Sequence, residues 1–162
     1  MAEQRTQKPR STPSARRAAG SAFFLGLALL GVCALADTSS PVGVWRTIDD
    51  RTGKERSIIV ITESSGVFEG KLEKIFDQPG DDPKHLCNDC EGERKGKPVI
   101  GMTILWGLKK DGEAYSGGEI LDPKNGKIYR AKMKLLDGGT KLEVRGYIGV
   151  SLFGRSQTWL RE

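Results

Sequence analysis

Past Ala36 the apolar residues of this chain return at a spacing of two, and clusters of Gly, Asp, Asn, Pro and Ser interrupt them every eight to twelve positions. A period of two is that of a β-strand with one buried face, and turn signals at that spacing mark an all-β chain. The alternation is cleanest where Tyr129, Ala131, Met133 and Leu135 face one way and Arg130, Lys132 and Lys134 the other. The same rule predicts strands over Val42–Ile48, Glu55–Thr62, Val67–Ile75, Val99–Trp106 and Ala114–Leu121. Three more follow: one around residues 129–135, one through Leu142, Val144, Gly146 and Ile148, and one over Arg155–Arg161. A long irregular segment, residues 76–97, separates the third from the fourth. No helical period of useful length appears after Ala36.

Eight amphipathic strands in sequence have two economical arrangements, a sandwich or a closed barrel. Short turns such as Asp122-Pro123-Lys124-Asn125-Gly126 and Asp137-Gly138-Gly139 favour sequential hairpins. Closing them into a barrel removes exposed strand edges. The expected fold is therefore an all-β, eight-stranded antiparallel up-and-down barrel over residues 37–162.

The first 36 residues have a different chemistry. Arg5, Lys8, Arg10, Arg16 and Arg17 precede a stretch from Ala18 to Ala36 without a charged residue, which ends in Ala34-Leu35-Ala36. A basic head, a short apolar middle and small residues two apart describe a cleaved signal peptide, residues 1–36. Arg16-Arg17 alone is a poor twin-arginine signal, and Val32 before Cys33 is a poor context for lipid attachment. The whole chain has 26 basic and 21 acidic residues. The leader contains five of the former and one of the latter, so the remainder is nearly neutral. Counterion release needs a surplus of cations, so no nucleic-acid partner is expected. With 29% charged residues the chain should meet a membrane only during export, and its expected location is the periplasm or the extracellular space.

Cys87 and Cys90 are the two cysteines left after cleavage, and in an oxidising compartment they should form a disulfide. So short a ring should contribute at most roughly 2–3 kcal/mol. A redox role is disfavoured because that motif opens a helix in a βαβ unit. His85, the only histidine, could join the two thiolates and Asp89 or Glu91 around zinc, but a disulfide removes those thiolates. The acidic residues Asp77, Asp81, Asp82, Asp89, Glu91 and Glu93 lack the alternating order of a calcium loop. They suggest a solvated flap over one mouth of the barrel, so no metal or cofactor is expected. Nor is any nucleophile–histidine–acid spacing present, and the chain is not expected to be an enzyme.

Gly43-Val44-Trp45 on the first strand resembles the Gly-x-Trp of lipocalins and their calycin relatives. That resemblance implies that Trp45 closes one end of the barrel under a cation from the last strand, Arg161 first and Arg155 second. A wider set of motifs covers nearly all of the chain after the leader: Gly43-x-Trp45, Gly96-Lys97-Pro98-Val99-Ile100-Gly101 and Ile120 to Lys127, then Arg145 to Gly149 and Leu152 to Trp159. With the Cys-x-x-Cys, these resemble the bacterial secreted family called domain of unknown function 2147. Membership implies a lipocalin-like fold and carries no established reaction or catalytic residue.

An eight-stranded barrel is either filled by its own side chains or just wide enough for one small ligand. The expected function is binding of a small lipophilic or amphipathic compound by the apolar strand faces. The expected lining is Phe68, Leu72, Met102, Ile104, Trp106, Tyr129, Met133, Val144, Ile148 and Phe153. The alternative is a filled barrel that works in the cell envelope through its outer surface, as a structural or protein-interaction module. Catalysis would require polar groups converging inside, for which Tyr129, Tyr147, Arg145 and Gln157 are the residues to inspect.

Overall fold

The computed structural model describes residues 38–50 and 52–162. The segment expected to be a signal peptide, with Cys33, lies outside the described residues. Eight strands follow one another in the chain: β1 (Gly43–Ile48), β2 (Glu55–Ser64), β3 (Val67–Ile75), β4 (Thr103–Asp111), β5 (Ala114–Asp122), β6 (Lys127–Leu136), β7 (Lys141–Tyr147) and β8 (Gly154–Arg161). Each pairs antiparallel with the next, and β8 returns to β1 through Trp45–Arg161, Arg46–Leu160 and Thr47–Trp159. The barrel is closed in simple up-and-down order, as the alternation and the short turns require.

The strands form where β-branched and alternating residues sit. In β2, Ser57, Ile59 and Ile61 are buried while Arg56, Ile58 and Val60 are only partly so. In β6, Ala131 and Met133 face the core between outward Arg130, Lys132 and Lys134. The expected fourth strand begins four residues too early. Pro98 instead bridges to Leu86 and Val99 donates to the His85 carbonyl at 2.8 Å, so residues 85–99 fold as a small hairpin of their own. A single turn of 3₁₀ helix at Gly92–Arg94 lies within it.

The turns sort into two ends. Residues 64–66, 111–113 and 137–140 gather at one, while the β1–β2, β5–β6 and β7–β8 turns and the long segment after β3 gather at the other. The first end is packed solid. Ile61, Phe68, Leu108, Tyr115 and Met133 are at most 8% exposed, and the rings of Phe68 and Tyr115 meet edge to face at 4.8 Å. Side chains packed to this density behave as a plug.

Trp45 caps that plug from β1 and is fully buried. Its indole N–H donates to the Pro41 carbonyl at 2.8 Å. The Arg161 guanidinium lies 4.3 Å over its ring and donates to three backbone carbonyls, Gly139 at 2.6 Å, Val42 at 2.9 Å and Ser40 at 2.7 Å. Gly43 makes room for this. Its φ of +141° is unfavourable for other residues, and a Cβ there would stand 2.7 Å from Arg161 Nη1. The Gly-x-Trp triplet thus has a steric reason, and Gly43, Trp45 and Arg161 form the closure the resemblance implied. Arg155 lies at the opposite end, paired with Asp50.

Candidate functional site

Toward the opposite end the side chains leave a cavity of about 880 Å³. Its walls follow from the strand register, because paired residues of neighbouring antiparallel strands share a face. Ser57 pairs with Thr47, and Thr47 with Trp159. These three, with Gln157 two residues before Trp159, form a polar wall on β2, β1 and β8. The Thr47 and Ser57 hydroxyls are 2.7 Å apart and both residues are buried. Trp159 is 1% exposed, and its indole N–H has no hydrogen-bond partner among the described residues.

The facing wall is apolar. Leu72 of β3, Ile104 of β4 and Ile120 of β5 line the cavity there, while Val144 of β7 pairs with Gln157 and adjoins the polar wall. In a closed ring of eight, β5 lies diametrically across from β1, so the cavity has a hydrogen-bonding side and a greasy side. Tyr129 stands between the two near the rim, where its hydroxyl accepts from Asn125 Nδ2 at 3.3 Å.

The rim is charged and largely self-satisfied. Arg56 forms a two-pronged pair with Asp81 from the segment after β3, with Nη2 to Oδ1 at 3.0 Å. Asp81 also accepts from the Gln78 amide at 2.8 Å. The Arg56 hydrogen bond, followed by that amide, holds the Asp81 carboxyl at about 2, well below its ordinary value. Asp82 accepts from the Lys84 amide at 2.9 Å, which lowers its pKa as well. Arg155 donates to Asp50 at 3.0 Å, and His85 Nε2 lies 3.0 Å from Asp77. Five carboxylates line the cavity (Asp49, Asp81, Asp82, Asp89 and Asp122) against the three cations Arg56, Lys124 and Arg155.

Cys87 and Cys90 are joined as a disulfide and buried. The thiolates that a zinc site with His85 would need are thereby consumed. Among the described residues no group of three or more His, Cys, Asp and Glu is placed to hold a metal ion. The stapled hairpin sits on the rim as a flap, through Leu86, Asn88 and Asp89. It rests on the β5–β6 turn so closely that a Cβ on Gly126, whose φ is +67°, would fall 1.9 Å from the Asp89 carbonyl oxygen.

Of the ten expected lining residues, Leu72, Ile104, Tyr129 and Val144 line the cavity. Phe68 and Met133 share their face but belong to the plug. Met102 precedes β4 and packs against the core as a partly buried residue. Trp106 is a correction. Register shifts on either side of Gly70 place both Ile104 and Leu105 in the interior, so Trp106 turns outward. There it donates to Glu119 at 3.1 Å, with the Arg94 guanidinium 4.7 Å over its ring. Ile148 and Phe153 are corrections too, at 67% and 73% exposed. β7 ends at Tyr147, and beyond the last paired residue the alternation no longer assigns a face.

Among the residues singled out for polar convergence, Tyr129 and Gln157 line the cavity. Arg145 instead braces the β7–β8 turn from outside, donating to the Ser151 and Leu152 carbonyls at 2.8 and 3.1 Å. Tyr147 lies in an outer row with Arg130, Glu119 and Trp106. Thr47 and Ser57 are absent from the expected lining because it counts apolar positions alone, whereas Trp159 is absent from it although it is aromatic. Counting by twos from Trp45 places Thr47 on the inner face.

The model of a family described as "Uncharacterized protein conserved in bacteria (DUF2147)" matches residues 43–161. Among solved structures, the chain is similar to protein HP1028 from Helicobacter pylori, which is described as belonging to the lipocalin family. The TM-score is 0.64 at 21% identity, covering 76% of this chain and 83% of that one. Identity that low supports the fold alone. None of the curated proteins matches the chain.

Proposed function

The chain belongs to the DUF2147 family and has a lipocalin-like barrel, and from that premise we propose that it is an exported binding protein for one small amphipathic molecule. The observation that carries this reading is the half-hollow barrel. One end is plugged by Trp45, and the other opens on a cavity of about 880 Å³. Cavities that hold small ligands run from about 300 to 1,000 Å³. A hollow of this size argues against a filled barrel that works only through its outer surface. A lining with one apolar and one hydrogen-bonding wall suits an amphipathic guest better than a purely lipophilic one.

Binding rather than catalysis fits the commitments of the titratable groups. His85 is tied to Asp77, Arg56 to Asp81 and Arg155 to Asp50. Export is supported by the signal-like segment and by the Cys87–Cys90 disulfide, a bond that persists in oxidising compartments.

Native mass spectrometry tests the reading. Freshly purified protein should carry a released small-molecule mass, or take up an added alkyl amphiphile at one-to-one stoichiometry. A Val144→Trp variant, which fills the cavity from β7, should lose that adduct. Repeated clean spectra with no uptake of any amphiphile would sink the proposal.

A further inference from the structure

The polar wall narrows the class of guest, and the narrowing rests on the binding role just proposed. We infer that the cavity selects an uncharged head group that accepts hydrogen bonds, an amide, ester or hydroxyl, over a carboxylate.

Three adjacent positions on the wall are donors. The Trp159 N–H has no partner among the described residues, although the side chain is 99% buried and lines the cavity. Thr47 and Ser57 lie next to it in register. Each hydroxyl has one hydrogen, and the 2.7 Å bond between them uses only one. A second donor is therefore left beside the indole. A buried donor without an acceptor is costly, so this wall is matched to an acceptor brought in by the guest.

Among the described residues no cation accompanies these donors at the wall. The two arginines that line the cavity are at the rim and already engaged, Arg56 by Asp81 and Arg155 by Asp50. Lys124, the remaining lining cation, stands among five lining carboxylates. An anionic head would pass a rim of net negative charge and then be buried against neutral donors, with its own charge unpaired. A cationic head would find carboxylates at the rim but only neutral groups at the wall, and Lys124 and the two guanidiniums temper even the rim. A neutral acceptor meets neither penalty.

Three probes with the same ten-carbon chain separate the cases: decanamide, decanoate at pH 8, and decyltrimethylammonium, titrated into the purified protein by calorimetry. Decanamide should bind at least tenfold more tightly than either of the others. Trp159→Phe, which keeps the packing but removes the N–H, should bring the decanamide-to-decanoate ratio several-fold closer to one. Circular dichroism and thermal unfolding would establish that this variant is folded. Decanoate or the ammonium binding as tightly as decanamide overturns the inference and leaves the binding role standing. An unchanged ratio in the folded Trp159→Phe variant overturns the assignment of the indole as selector. If none of the three binds and Val144→Trp behaves as wild type toward every amphiphile, the binding role itself fails.

Discussion

Two arginines secure the two ends of this barrel, and they do so with different partners. At the sealed end Arg161 lies on the Trp45 ring and donates to the carbonyls of Ser40, Val42 and Gly139. At the mouth Arg56 holds the segment after β3 through the carboxylate of Asp81. Backbone carbonyls do not titrate, so the first clamp is indifferent to pH. The second depends on one ionised group at the rim. The hydrophobic plug is likewise confined to the Arg161 end, and the polar, hollow part to the Arg56 end. Damage at the sealed end should therefore cost global stability, while damage at the mouth should change local opening and ligand exchange.

The sharpest way to break the comparison is Trp45→Ala. Removing a fully buried indole from the plug should cost about 3–5 kcal/mol, read from urea unfolding as a lower midpoint. A loss under about 1 kcal/mol would mean that the sealed end does not carry the fold. Arg161→Met comes next. It keeps much of the aliphatic stem but leaves three carbonyls without their donor, and should cost about 2–3 kcal/mol. Equal destabilisation by Arg56→Met would erase the distinction between the ends.

A smaller effect is expected from replacing both Cys87 and Cys90 by Ala. The four-residue ring restricts few unfolded conformations, so the loss should be at most about 2–3 kcal/mol. Hydrogen exchange should accelerate across residues 85–99 and stay unchanged in β6 and β7. The smallest effect is that of acid. Asp81 titrates at about 2 when folded, below its ordinary 3.8, so its contribution is fully present above pH 4. It should fade as pH falls from about 4 to 2. Because the pair lies near the surface, screening reduces the contribution to about 1 kcal/mol. Hydrogen exchange at residues 76–82 should report it, and Asp81→Asn should abolish that acid-dependent step.

The sequence made the ring of strands legible because its alternation is regular wherever pairing is regular. β6 and β7, with unbroken register from Arg130–Tyr147 to Leu136–Lys141, have the expected faces as far as Gly146, and only Ile148, beyond the last paired residue, departs from them. Gly43, Trp45 and Arg161 were legible through a motif whose reason is steric. What alternation cannot show is a slip in it. The shifts between β3 and β4, and the one between Tyr115 and Gly118, change the facing of every residue beyond them. That is how Trp106 moved from the expected interior to the outer surface. The polar wall was hidden for another reason: inward Thr47 and Ser57 read as solvent-facing when hydrophobicity alone decides the face. The sizes of the plug and the cavity depend on how Phe68, Leu108, Tyr115 and Met133 fill space together, and no pairwise pattern encodes that.

The three carbonyls held by Arg161 have a geometric consequence for how the protein is presented to its surroundings. They lie at residues 40, 42 and 139, and the last described residue, Glu162, donates its amide to the Val44 carbonyl. Thr38 touches Gly139 of the β6–β7 turn. The first described residue and the last therefore lie at the plugged end, a barrel's length from the mouth. A bead, a fluorophore or a fusion partner attached at Glu162 or ahead of Thr38 is joined at the end away from the opening, so the protein can be immobilised or labelled with its opening directed toward solution.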